Sequence, residues 1–433
     1  MVIHRPRYLK KLIDKKDNGL IKVITGIRRC GKSFLLTELY HAYLNSIGVD
    51  DLFIIELALD ETKNARYRNP FELDTYIRDK IVDKDHVYYV FLDEIQSSEK
   101  VPNPYVPHGG APVTFVDTLL GLMKIKNVDL YVTGSNSRML SSEVLTEFRG
   151  RGDEIRVSPL SFSEYCSAYE GDRRDAWTEY FTYGGMPLVL SQKTHESRSK
   201  YLKDLFESTY IKDVLDHNDI RNDKDILDDL LDVVASSVGS LTNPARIANT
   251  FGSSKKISVN STTIDAYLGY FIDAFIIDRA KRYDIKGRKY IGSPLKYYYT
   301  DVGLRNARLN FRQTEENHIM ENIIFNELIT RGFDVDVGIV EYNHIDNNNK
   351  KIRSQLEIDF IANSGNQRYY IQSALTVSDE EKRRHETSSL YRVADSFKKI
   401  IVVKDKMIPW YDEKGILYIG IEQFLLEESA IDL

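Results

Sequence analysis

Residues 26–33 read Gly-Ile-Arg-Arg-Cys-Gly-Lys-Ser, with glycine first and sixth, then lysine and serine. This spacing suits a loop whose backbone N–H groups turn inward on phosphate oxygens, because Gly26 and Gly31 carry no side chain to block the bend. The Lys32 ammonium would reach the outer phosphates and the Ser33 hydroxyl would ligate Mg2+, so the predicted chemistry is binding of ATP with Mg2+. Gly26, Ile27, Arg28, Arg29, Cys30, Gly31, Lys32, Ser33 and Phe34 make up the predicted nucleotide contact. Arg28 and Arg29 either touch nucleotide or face acidic groups across the surface.

Such a loop needs an acidic strand end beside it. Residues 87–94, Val-Tyr-Tyr-Val-Phe-Leu-Asp-Glu, are an apolar run ending in two carboxylates. Asp93 is predicted to hold Mg2+ through water, and Glu94 to orient and deprotonate the attacking water. The run at 129–133 leads into Gly134-Ser135-Asn136. Asn136, then Ser135, is the polar group expected between terminal phosphate and water. Phe148-Arg149-Gly150-Arg151-Gly152 offers an arginine to neutralise developing charge, Arg151 ahead of Arg149. It would act within one chain or between subunits of a homo-oligomer.

Elements must hold these groups together. Strand-like runs at 20–25, 51–57, 87–92, 129–133 and 153–158 alternate with helical ones. That pattern predicts a mainly parallel sheet covered by helices on both faces. Prolines and glycines at 97–112 predict a surface loop after the third strand. Beyond Pro159 the pattern is helical to about residue 241, and residues 204–232 carry ten acidic against three basic residues. The balance then reverses, with ten Lys/Arg against four Asp over 240–300. There two short helices (244–251 and 262–277) precede a predicted hairpin of 276–283 and 289–299, a pattern that suggests a winged helix-turn-helix. A third composition follows from 301: a helix at 315–331, strands around 335–342, 355–361 and 369–376, another helix, then a strand at 400–403.

The chain has 433 residues, net charge −6 and two cysteines, Cys30 and Cys166. Two cysteines give no disulfide framework, so a reducing cytoplasmic setting is expected. No run is long and apolar enough for a membrane span, and the N-terminal residues lack the apolar stretch of a secretory signal. The net charge argues against a uniformly basic nucleic-acid binder but leaves room for a local patch.

The ordered set Gly-Ile-Arg-Arg-Cys-Gly-Lys-Ser, Phe-Leu-Asp-Glu-Ile-Gln, Thr-Gly-Ser-Asn-Ser, Arg-Gly-Arg and Pro-Leu-Ser-Phe-Ser-Glu-Tyr resembles a prokaryotic AAA-type ATPase family. Its members carry a C-terminal domain of unknown function with a restriction-endonuclease-like, PD-(D/E)XK core. Tyr-Gly-Gly-Met-Pro (183–187), Tyr-Ile-Lys-Asp-Val (210–214) and Lys-Tyr-Tyr-Tyr-Thr-Asp-Val-Gly-Leu-Arg (296–305) extend the likeness over nearly the whole chain. The resemblance implies an α/β, AAA-type P-loop ATPase core at 1–160 with parallel-sheet order 5-1-4-3-2. It further implies a helical lid at 161–223, a winged helix-turn-helix at 224–300 and a small restriction-endonuclease-like α/β domain at 301–433. The resemblance implies an ATPase but no cellular task. The activity expected from the whole sequence is that of an ATP-hydrolysing, AAA-type molecular switch whose nucleotide state repositions the C-terminal domains.

The resemblance also assigns a nuclease-type metal centre to Glu321, Asp359 and Gln372, followed by Ser373 and Ala374. Gln372 stands where that family has an acid and Ala374 where it has lysine, so the expected outcome is a degenerate site that binds without cutting. An ATP-gated, Mg2+-dependent nuclease is the competing reading. The basic 240–300 span has two readings as well. Lys286, Arg288 and Lys289 would meet double-stranded DNA from the wing, with residues 262–267 opening a recognition helix. Alternatively the span contacts the ATPase core or an unknown protein partner.

Overall fold

The computed structural model describes residues 2–106, 110–134, 150–218, 220, 223–312, 315–345 and 351–433. The chain forms two compact units, Met1–Ser158 with Asp273–Phe275, and Pro159–Ile272 with Ile276–Leu433.

The N-terminal unit is built on β1 (Ile21–Thr25), β2 (Ile54–Ala58), β3 (Tyr88–Asp93), β4 (Val128–Thr133) and β5 (Gly152–Arg156). Every pairing is parallel. Across the sheet the order is β2-β3-β4-β1-β5, which from the other edge reads 5-1-4-3-2. β1 is buried at all five positions, as befits an inner strand covered on both faces. Val23, Leu57, Val90, Leu92 and Val132 join Leu73 and Leu119 of flanking helices in one apolar core. The sheet also buries a charge pair: Lys22 of β1 meets Asp129 of β4, whose other oxygen accepts from the Tyr131 hydroxyl at 2.7 Å.

From Lys32 a helix runs through Lys32–Phe34, the π-turns Leu35–Tyr40 and His41–Ser46. Leu35, Leu36, Tyr40 and Leu44 are its buried stripe. Tyr40 closes against the sheet through a 2.6 Å hydroxyl contact with Tyr131.

In the C-terminal unit a helical stretch precedes an eight-stranded sheet. Its strands are β6 (Ile277–Asp284), β7 (Lys289–Tyr299), β8 (Asp334–Ile345), β9 (Lys351–Ser364), β10 (Gln367–Ala374), β11 (Lys398–Val403), β12 (Trp410–Tyr411) and β13 (Ile416–Gly420), in the order β12-β13-β11-β10-β9-β8-β6-β7. The β6–β7 hairpin anticipated as a wing is therefore one edge of this sheet. β6 pairs in parallel with β8, from Arg282↔Val337 to Asp284↔Ile339. The anticipated break at residue 300 falls inside one continuous body. The reason lies in residues 297–299, three tyrosines buried in succession, which make this end of β7 interior rather than exposed.

Two motifs far apart in sequence interlock here. Asp301 caps the helix Val302–Arg308 by accepting the Leu304 N–H at 3.0 Å, and its other oxygen accepts the Gly185 N–H at 2.6 Å. Gly184 turns with φ of 71°, a left-handed conformation that favours glycine. A side chain on Gly303 would collide with the Tyr183 carbonyl.

Candidate nucleotide site

The phosphate loop leaves the end of β1 and is braced from beneath. Cys30 is fully buried, with its Sγ 3.3 Å from the Val157 carbonyl oxygen just past β5. A Cβ on Gly26 would run into that same carbonyl. The buried Arg5 guanidinium ties the underside together, donating to the Cys30 carbonyl at 3.1 Å and the Ser158 carbonyl at 2.8 Å. Arg29 and Gly31 take positive φ, 65° and 100°. Such a turn aims successive N–H groups into a concavity, the usual geometry of an anion nest.

Lys32, 3% exposed, folds back over the loop and donates to the carbonyls of Gly26 (3.0 Å) and Ile27 (3.2 Å). The Ser33 hydroxyl donates to Asp93 Oδ1 at 2.9 Å, joining the loop to the end of β3. The Thr133 hydroxyl, at the end of β4, also donates to Asp93, and Thr133 Oγ1 accepts the Glu94 N–H at 3.0 Å. Glu94 sits at φ 53°, and the Gln96 side-chain amide donates to its carboxylate. Burial, helped by Asp93, pushes the Glu94 carboxyl above its usual range, against the pull of Lys32 and Arg28. A carboxylate raised by desolvation takes up a proton more readily, as a general base must. The donor set fits Mg2+-ATP: an ammonium and a glycine-braced loop for phosphate, a hydroxyl and a carboxylate in mutual contact for the metal.

Of the other residues expected here, Arg28 is half-buried near Glu94 and Arg29 is exposed. Ser135, Asn136 and Arg149 lie outside the described residues. Arg151 is not brought to the loop. Its carbonyl accepts the Ile21 N–H at 2.9 Å, at the start of β1, whereas the loop follows the end of that strand. Five residues of parallel strand separate the two levels, on the order of 16 Å. Thr133 and Gln96 were not singled out in the sequence. Their signal was present in the strand-terminal Thr before Gly134 and in the Gln two residues past Glu94.

A second polar cluster lies in the C-terminal unit. Glu321 on the helix Glu316–Thr330 and Asp359 on β9 both lie near the Lys296 ammonium. Glu357 joins them, and Lys296 of β7 reaches in among all three. Gln372 instead presents Oε1 to the Asp359 N–H, at 3.4 Å. Burial and Glu321 hold Asp359 well above the usual carboxylate range, with Lys296 pulling the other way. Burial would depress Lys296, but Glu321, Asp359 and Glu357 outweigh it and raise the ammonium above the ordinary lysine value.

On the hairpin, Arg279, Lys281, Lys286, Arg288 and Lys289 are exposed, and Tyr290 beside them is 61% exposed. Arg282 and Lys296, counted in the same basic span, are buried. Among the described residues no helix is long and apolar enough to cross a membrane.

Residues 18–166 match an AAA domain, and residues 174–315 match a domain of unknown function (DUF8612). An uncharacterized protein of Haemophilus influenzae is 32% identical over 434 residues, covering 98% of this chain and 99% of that protein. One from Methanocaldococcus jannaschii is 26% identical over 440 residues, covering 97% and 86%. Among solved structures, the Aeropyrum pernix Orc1 protein in complex with DNA is 13% identical, covers 72% of this chain and 93% of its own, and has a TM-score of 0.30. Cdc6p from Pyrobaculum aerophilum gives 13%, 75%, 95% and 0.30. At that TM-score the likeness is too loose to bear on partners.

Proposed function

The chain belongs to the same family as the Haemophilus influenzae relative and its residues 18–166 match an AAA domain, and on that premise we propose that it is an ATP-hydrolysing molecular switch. The observation that carries the reading is the continuous chain of contacts Ser33–Asp93–Thr133–Glu94 beside Lys32. Lys32 and the loop N–H groups bind the phosphates. When bound, Mg2+ supplies charge neutralisation, and Ser33 and Asp93 are the groups that would hold it. Glu94, half-buried and oriented by Gln96, takes the proton from the attacking water. Nucleotide state then changes how the C-terminal unit meets its partner.

The test is ATP turnover and binding by the full chain. Lys32→Ala is expected to lose nucleotide binding, and Glu94→Gln to keep it while turnover falls by at least about 100-fold. Turnover by Glu94→Gln at the parental rate would remove Glu94 as the base.

A DNA-directed role is the second reading, favoured by the exposed basic hairpin with Tyr290 at its side. In a protein-directed switch, duplex DNA would leave ATP turnover unchanged. The C-terminal unit serves as a binding body descended from a nuclease-like domain: Gln372 is neutral, and Ala374 offers no ammonium.

A further inference from the structure

We infer that Lys296 is the resident cation of an acidic cage in the C-terminal unit, its ammonium filling the place around which Glu321, Glu357 and Asp359 would otherwise gather a divalent metal. The three carboxylates arrive from two elements. Glu357 and Asp359 are two residues apart on β9 and so share one face of the sheet. Glu321 comes down from the helix Glu316–Thr330. Lys296, 3% exposed, points into their midst from β7, the far edge strand of the same sheet.

Distances describe an ammonium site rather than a metal site. Nζ lies 2.8 Å from Glu321 Oε1, 2.7 Å from Glu357 Oε1 and 3.8 Å from Asp359 Oδ1. An ammonium has three N–H donors, and separations near 2.8 Å are ordinary for charge-assisted hydrogen bonds. Mg2+ draws its oxygens to about 2.0–2.1 Å and demands an octahedron. Among the described residues no group of three His, Cys, Asp or Glu is disposed to hold a metal ion.

Two further donors bind the same carboxylates, one at the oxygen that Lys296 reaches on Glu321 and one at the other oxygen of Asp359. The fully buried Tyr298 hydroxyl donates to Glu321 Oε1 at 2.6 Å, and the Ser373 N–H donates to Asp359 Oδ2 at 2.8 Å. Gly239 closes over Glu321, since a Cβ there would lie 3.0 Å from Oε2. Buried carboxylates need a counter-charge to stay ionised, and here the chain provides it covalently. Lys296 belongs to the sheet edge, so this cation cannot be removed by chelation. The metal implied by a nuclease-like ancestry therefore does not fit the cage as it stands.

The experiment is a Mn2+ titration followed by electron paramagnetic resonance on the nucleotide-free full chain. All samples carry Asp93→Asn, so that the phosphate-loop carboxylate contributes nothing. The parent is expected to show no Mn2+ site that Glu357→Gln removes, Glu357 being the most exposed of the three acids. Lys296→Met is expected to gain one such site, lost again on adding Glu357→Gln, and to melt higher with Mn2+ while the parent does not. A parental Mn2+ site abolished by Glu357→Gln would overturn the inference, as would Mn2+-dependent DNA cleavage by the parent that this substitution removes. A folded Lys296→Met chain that gains no site would also overturn it. If Lys296→Met fails to fold without metal, refolding on addition of Mn2+ supports the inference; if it fails with metal too, the parent against Glu357→Gln decides.

Discussion

The Thr133 hydroxyl donates to the Asp93 carboxylate, while the same oxygen accepts the Glu94 N–H at 3.0 Å. One side chain at the end of β4 thus sets the position of both acids at the end of β3. Thr133→Val keeps the shape but removes the donor and leaves the Glu94 N–H without its acceptor. Loss of a group that orients a metal ligand typically costs about 10- to 100-fold. That drop is expected in ATP turnover, and Thr133→Ser should restore most of it. A steady-state assay of both variants checks this; parental turnover by Thr133→Val would assign Thr133 to packing alone.

Lys22 and Asp129 are 0% and 4% exposed and pair across the middle of the N-terminal sheet. Removing one member of such a pair strands the other charge, at a cost of about 3–5 kcal/mol. Lys22→Met is expected to lower the urea midpoint by a corresponding amount, and Lys22→Met with Asp129→Leu to recover much of it. Additive losses in the double variant would contradict the pairing.

Burial holds the Asp301 carboxyl at about 6, despite the N–H bonds it accepts from Gly185, Leu304 and Gly303. The folded chain therefore keeps a proton that the unfolded chain releases near the ordinary value of 3.8. Its contribution is fully present below about pH 4 and falls as pH rises through about 6, by on the order of 3 kcal/mol. Asp301→Asn has no such proton. Relative to this variant, the parent should lose stability between pH 4 and pH 7, measured by urea unfolding across that range. A difference that does not change with pH would refute the assignment.

Charge reversal of Lys286, Arg288 and Lys289 to Glu alters only exposed positions of the hairpin turn. If the hairpin meets duplex DNA, affinity should fall, and the slope of log affinity against log salt should flatten by about 0.9 for each phosphate no longer neutralised. Fluorescence anisotropy at several salt concentrations reads both. Unchanged binding would favour a protein partner.

The nucleotide site was legible because its chemistry is local: eight consecutive residues make the loop, and Asp93-Glu94 closes an apolar run. Thr133 escaped notice because it ends a strand in which threonine is unremarkable, and its role depends on β3 lying beside β4. Arg151 shows a related limit within one chain. Its neighbours suggest a catalytic loop, but strand direction puts it at the opposite end of β5 from the phosphate loop. The charge sum over 240–300 counted Lys296 and Arg282 among the groups facing a polyanion, yet both are buried, one among acids and one against Gln355. The β6–β8 pairing spans residues some fifty positions apart and has no local signature.

That pairing also governs how the chain can be divided. β6 owes one side to β7 and, over Arg282–Asp284, the other to β8, so a cut after residue 300 would strip the backbone donors and acceptors of that stretch bare. Such an unprotected margin invites chain-to-chain association. A fragment ending there should be sticky and poorly behaved, while one starting near Pro159 would retain every strand of its sheet.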